Sequence, residues 1–204
     1  MRKVSGVGIN DANYIVQMKE ELGSVGGKRK RGVVWICPFY QRWSNLIRRC
    51  YSEKEQKRGP SYIGCTVCEE WKHFSNFKAW METQDWEGNE LDKDILVRGN
   101  KVYSPETCVF VSSTVNTFLL DCSVRRGEHP IGVYWDRDNE KFKAQCSNPF
   151  TRKNENLGRF LSSAEAHNAW LTRKLELAKL LAAEQDDPRV AKALVERYEN
   201  YICN

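Results

Sequence analysis

Asp92, Asp94 and Glu106 lie close together in the chain, with Lys93 between the first two and Asn100 in the intervening segment. Carboxylates and an amide at such spacing are donors that can hold a magnesium ion, and a two-carboxylate magnesium site needs no histidine. A lysine beside them could neutralise a phosphate in a transition state. The alternative is structural: Asp92 and Asp94 decorate a strand, and Ser104-Pro105-Glu106 caps a helix. A second group consists of thiols. Cys65-x2-Cys68 has metal-ligand spacing, with Cys50 before it and Cys108 after. Together they could hold a structural zinc; the other reading is four buried thiols of an ordinary core. Cys37, Cys122, Cys146 and Cys203 have no partner spacing.

These groups belong to a chain of 204 residues with 32 Lys+Arg against 27 Asp+Glu, a net charge of +5 and a pI near 8.7. That is long enough for one large or two small domains. The mild basic excess makes nucleic acid a reasonable partner. No apolar run reaches the roughly 18 residues of a membrane span. The N-terminus lacks the apolar core of a signal peptide, so the expectation is a cytoplasmic protein with reduced cysteines and no membrane partner.

The elements that must position the chemistry follow from periodicity. Residues 1–32 show little pattern; the basic run Lys28-Arg29-Lys30-Arg31 reads as a phosphate-contacting arm, a localisation signal or a solvated loop. A helix begins at Pro38, with Tyr40, Trp43, Leu46, Ile47 and Cys50 on its apolar side and Arg42, Arg48 and Arg49 elsewhere. A second helix is expected over 69–84, where Trp71, Phe74, Phe77, Trp80 and Met81 form a core stripe. The acidic group then falls on a strand over 91–96, a Gly99-Asn100 turn and a helix start at Ser104. Residues 123–129 read as a linker around Arg125, Arg126 and Gly127. From Pro130 the period changes to two, with strands expected over 131–135, 141–146 and 157–160. Ser162 or Ser163 then caps a helix reaching about residue 183, and Asp187-Pro188 opens a last helix. The expected class is α+β.

Three short strands backed by a helix, with basic and amide side chains alternating on the far side, suit a sheet that lies on DNA. Gly132-Val133-Tyr134-Trp135, Lys141-Phe142-Lys143-Ala144-Gln145, Leu157-Gly158-Arg159-Phe160 and Ala164-Glu165-Ala166 with Ala169-Trp170 resemble the APETALA (ethylene-response-factor) type DNA-binding domain. The resemblance implies DNA contacts from Tyr134, Arg137, Lys141, Lys143, Gln145, Arg152, Lys153 and Asn154. Ser147 and Asn156 stand where plant members would have Arg and Trp, which implies a different base preference.

The upstream region resembles the HNH, or ββα-metal, nucleases of phage homing-endonuclease type. The matching words are Leu91-Asp92-Lys93-Asp94, Gly99-Asn100 and Ser104-Pro105-Glu106-Thr107-Cys108, supported by Arg49-Cys50-Tyr51-Ser52, Cys65-Thr66-Val67-Cys68-Glu69-Glu70-Trp71 and Phe74-Ser75-Asn76-Phe77. Asp92 falls on the family's metal-binding Asp, Lys93 on its general-base His and Thr107 on its second ligand Asn. A lysine, with a reference pKa of about 10.4, activates water poorly unless desolvated.

The expected organisation is an HNH-like domain over 1–122, the linker over 123–129, and an APETALA-type domain with C-terminal helices over 130–204. The expected function is sequence-specific binding of double-stranded DNA, with magnesium-dependent nicking or cutting at Asp92, Lys93, Asp94, Asn100 and Glu106. The alternative is a non-catalytic repressor descended from such a nuclease. The helices between Ser163 and Tyr201 could make it a homodimer on a two-fold operator. The lack of an exposed aromatic platform argues against RNA.

Overall fold

The computed structural model describes residues 3–25, 28–120 and 128–202. The side chains of Lys28, Arg29, Lys30 and Tyr201, the linker positions 123–127, and Cys122 and Cys203 lie outside the described residues. The chain is mixed α and β, and its internal contacts divide it into two units between Phe110 and Val111.

The first unit opens with a segment expected to lack pattern. It contains a long antiparallel hairpin, β1 (Gln17–Val25) and β2 (Lys28–Ile36), with Gln17 opposite Ile36 and Val25 opposite Lys28. Period two is obscured because the register shifts between Met18 and Lys19 and again between Glu21 and Ser24. Neither face is spent on a core: Met18, Leu22, Val33, Val34 and Trp35 are all exposed.

Helix α1 (Pro38–Tyr51) starts at its proline and buries Trp43, Leu46, Ile47 and Cys50, as the periodicity requires. Its arginines are largely engaged within the unit. Arg42 donates to the Asn89 carbonyl at 2.8 Å, Arg48 folds back on Ser44 and Asn45, and Arg49 lies 5.2 Å from the centre of the Tyr62 ring. A short helix α2 (Glu53–Arg58) and strand β3 (Thr66–Val67) follow.

The helix expected over 69–84 is interrupted. A single 3-10 turn covers Glu70–Lys72, His73 is extended, and α3 runs only over Phe74–Met81. The break has a tertiary cause. Ile9 inserts beside His73, donating its N–H to the Lys72 carbonyl at 2.8 Å and accepting from the Phe74 N–H at 3.0 Å. Asp11 then takes over the start of α3, accepting from the Ser75 N–H at 2.8 Å and the Ser75 hydroxyl at 2.7 Å. Partial burial works against the Asp11 carboxylate, but the Ser75 bonds hold its pKa below the usual range. Asp11→Ala should therefore cost about 1 kcal/mol, the value of a lost helix cap, measurable by urea unfolding. Trp43, Trp71, Phe74 and Phe77, none more than 1% exposed, form the centre of this core, and the Trp43 indole donates to the Trp71 carbonyl at 2.7 Å. Trp71, Phe74, Phe77 and Met81 are core residues, as their spacing indicates.

Strand β4 (Glu90–Asp92) lies beside β6 (Val109–Val111), and β5 (Val102–Tyr103) pairs in parallel with β3.

The second unit begins with α4 (Ser113–Phe118), capped by the Ser112 hydroxyl on the Val115 N–H. The expected boundary at 122 is thus displaced upstream to Phe110/Val111. The reason is packing: Tyr198 donates to the Phe118 carbonyl at 3.3 Å, and Arg197 donates to the Leu119 carbonyl at 3.2 Å. A three-stranded antiparallel sheet follows, β7 (Val133–Asp136), β8 (Lys141–Ser147) and β9 (Asn154–Phe160), in the order β7-β8-β9. Helix α5 (Ser163–Ala183) packs on it through Ala166 against Val133 and Ala144. Its start is a full capping box, with Ser162 and Glu165 exchanging bonds. Helix α6 (Pro188–Ile202) packs against α5 and buries Val190, Leu194 and Tyr198. These apolar side chains are used within the chain, which leaves Leu180 as the exposed large apolar side chain described on the two helices. No helix among the described residues is long and apolar enough to cross a membrane.

Candidate functional site

The acidic hairpin departs from expectation at both ends. The strand predicted over 91–96 stops at Asp92. One Asp92 carboxylate oxygen accepts the N–H groups of Asp94 at 2.8 Å and Ile95 at 2.7 Å, which bends the chain out of the ladder. The helix start predicted at Ser104 is a turn, closed by the Cys108 N–H on the Ser104 carbonyl at 2.9 Å, and it leads into β6. Cys108 therefore heads a strand, not a helix.

Within this loop the side chains are already committed. Lys93 is 8% exposed, and its ammonium binds Asp94 at 2.9 Å. Burial alone would lower its pKa, but the Asp94 bond and the charges of Asp94, Cys65 and Asp92 outweigh it and hold Lys93 above the ordinary lysine range. A lysine so held stays protonated at neutral pH and cannot act as a general base. Burial, and then the charge of Asp94, push the Asp92 carboxyl above its usual range. Asn100 donates to the carbonyls of Lys93 and Val102, both at 2.7 Å, and accepts from the Val102 N–H at 3.0 Å. It fastens the loop. Glu106 stands on the exposed turn, where the Ser104 hydroxyl lowers its pKa.

The structure thus brings Asp92, Lys93, Asp94 and Asn100 together. Glu106 joins them in no metal-holding group: no three His, Cys, Asp or Glu side chains gather as such a group among the described residues. A buried ammonium paired with Asp94 stands among these donors. Cys50, Cys65 and Cys108 are buried in one core with Cys68 packed against it, but no three of them converge. Burial, with Cys65 nearby, pushes the Cys50 thiol up to about 12, and burial pushes Cys108 to about 12.

The sheet of the second unit holds the other predicted residues. Register places Tyr134, Lys143 and Arg159 in one row across the three strands, Asp136 opposite Lys141, and Gln145 opposite Asn156. Val133, Ala144 and Cys146 are buried on the opposite face. The outer face thus carries Tyr134, Lys141, Lys143, Gln145, Asn156 and Arg159, with Ser147 and Asn154 paired at its end. The Lys143 ammonium lies 5.6 Å from the centre of the Tyr134 ring. Arg159, absent from the expected DNA contacts, belongs to this face; its place opposite Lys143 in period two is the signal for it. It pairs with Asp136 at 2.7 Å, and that bond lowers the Asp136 pKa. Arg137 follows β7 in the exposed turn, and Lys153 is exposed before β9. Arg152 is placed differently. It stands in the left-handed region at φ 56° and lines a cavity beside α5.

No family model, curated protein or solved structure matches the chain.

Proposed function

We propose that the chain is a sequence-specific double-stranded DNA-binding protein that reads DNA with the outer face of β7, β8 and β9. The observation that carries this is the row Tyr134–Lys143–Arg159 with Lys141, Gln145 and Asn156 beside it, on a sheet backed by a helix. Lysine and arginine supply phosphate contacts and guanine readout; glutamine and asparagine are the donor–acceptor pairs that match adenine. The only acidic side chain on the strands of this face, Asp136, is neutralised by Arg159.

Of the two functions expected, the non-catalytic binder is favoured. The residue in the position of the family's water-activating histidine is a buried, paired ammonium, and the carboxylate beside it is committed to backbone N–H groups. In this reading the hairpin is a structural remnant of an HNH-type ancestor, and occupancy of a DNA site, as by a repressor, is the activity.

The test selects a duplex from a random library and measures affinity against salt. Replacing Lys141, Lys143 and Arg159 together with alanine should flatten the slope of log K against log[salt] by about 2.7, at roughly 0.9 per phosphate contact. A base-reading side chain among them should in addition cost about 1–3 kcal/mol and relax specificity at its position. Unchanged affinity and slope would remove the sheet from the interface. Plasmid carrying the selected site should stay intact with Mg²⁺ or Mn²⁺; cleavage that Asp92→Ala abolishes would restore the endonuclease.

A further inference from the structure

We propose that the second unit contains a binding pocket for a small organic anion with an apolar body, built around Lys174 and Arg152. The cavity measures about 660 Å³ and lies between α4, α5 and the turn joining β8 to β9. That is within the roughly 300–1,000 Å³ typical of small-molecule sites. Trp170, Phe118 and Ile131 supply apolar wall, Thr114 and Thr117 supply hydroxyls, and none of the described residues lining it is acidic.

Lys174 is 8% exposed, yet no described carboxylate pairs with it. Its ammonium rests 3.4 Å from the centre of the Phe118 ring and 5.7 Å from that of Tyr198. A ring face returns about 0.5–2 kcal/mol, less than the several kcal/mol an ion loses on leaving water. The charge is therefore undercompensated in the free protein, which is the condition an incoming anion relieves.

Arg152 is held in a built turn. Its N–H donates to the Asn148 carbonyl at 2.9 Å, while the Asn148 side chain accepts from the Phe150 and Thr151 N–H groups at 2.8 and 3.2 Å. No described carboxylate pairs with Arg152. Arg173, adjacent to Lys174 in the chain, provides the contrast: it is neutralised by Glu155 and Glu176, each at 2.7 Å. The unit thus neutralises this neighbouring cation and leaves without a described carboxylate the two that face the cavity. The wall of Trp170, Phe118 and Ile131 has no use for a bare inorganic ion, and selects an anionic head joined to an aliphatic or aromatic body. The site shares Ser147 with the end of the strand face proposed for DNA, and it does not depend on that reading.

The probe is 8-anilinonaphthalene-1-sulfonate, titrated into the full chain with octanoate or octanol as competitor. Saturable fluorescence displaced by octanoate but not by octanol is expected. Arg152→Ala and Lys174→Met should each weaken the probe at least about tenfold, the low end of the effect of removing one partner of a close charge pair. Lys143→Ala, on the outer strand face, should leave it unchanged. Arg152 is exposed, so its variant reports even if Lys174→Met alters the fold. Unchanged affinity in Arg152→Ala, or equal displacement by octanol, overturns the proposal. Displacement by duplex DNA with no response to octanoate also overturns it, because the two cations would then belong to a nucleic-acid surface.

Discussion

Gly132→Ala should destabilise the second unit by about 3 kcal/mol, combining about 1–2 for a left-handed backbone with a side chain and about 1–3 for overpacking. Gly132 has φ +80°, and a Cβ there would stand 2.1 Å from Cδ1 of Trp170. The indole fills the space a methyl would need, and Trp170 is 7% exposed within α5. The Gly132 carbonyl also accepts the Gln145 N–H at 2.9 Å, so the ring can yield only if helix and sheet separate. Thermal unfolding should show a transition lowered by more than about 10 °C for a unit of this size. A melting temperature unchanged in Gly132→Ala would mean that the indole has room to move.

Lys174→Met should act in the opposite direction, raising stability near pH 7 by about 3 kcal/mol. Burial lowers the Lys174 pKa to about 8, from an unfolded value near 10.5. The charged groups acting on it are Cys146 on β8, which raises the pKa, and Arg197 on α6, which lowers it. Below about pH 8 both folded and unfolded chains carry the proton, and the folded chain bears the full burial penalty. Between about 8 and 10.5 the unfolded chain holds more protons than the folded one, so stability rises with pH. Wild type should therefore gain stability across this window relative to Lys174→Met. Parallel pH profiles for the two would show that the ammonium is already compensated. A residue that weakens its own fold is expected where binding needs it.

The second unit was readable because its signals are local. Alternation through Lys141-Phe142-Lys143-Ala144, the Ser162/Glu165 pair and Pro188 each specify structure from a few neighbouring residues. Helix α1 was readable for the same reason. The hairpin of β1 and β2 was not, since an exposed ribbon with shifted register imposes no single face on its sequence. The interruption at His73 depends on Ile9 and Asp11, which no window around residue 73 contains. The hairpin loop was legible as a cluster of residues but not as chemistry. Asp92, Lys93 and Asp94 are adjacent in either reading; the burial of Lys93 and its bond to Asp94 are tertiary facts that adjacency does not reveal. The cavity beside α5 joins α4, a turn and a helix, so no motif announces it.

The capping of α3 by Asp11 bears on the order in which the first unit folds. The cap and the helix it starts are 64 residues apart in sequence. A helix of eight residues has little persistence alone, and here even its first turn waits for a distant segment. Chain closure between the N-terminal segment and α3 must precede or accompany helix formation, at the entropic cost of a long loop. Helix α3 should then be weakly formed in the folding transition state, with its native contacts arriving late. Helix α1, whose proline start is encoded locally, is the better candidate for the nucleus.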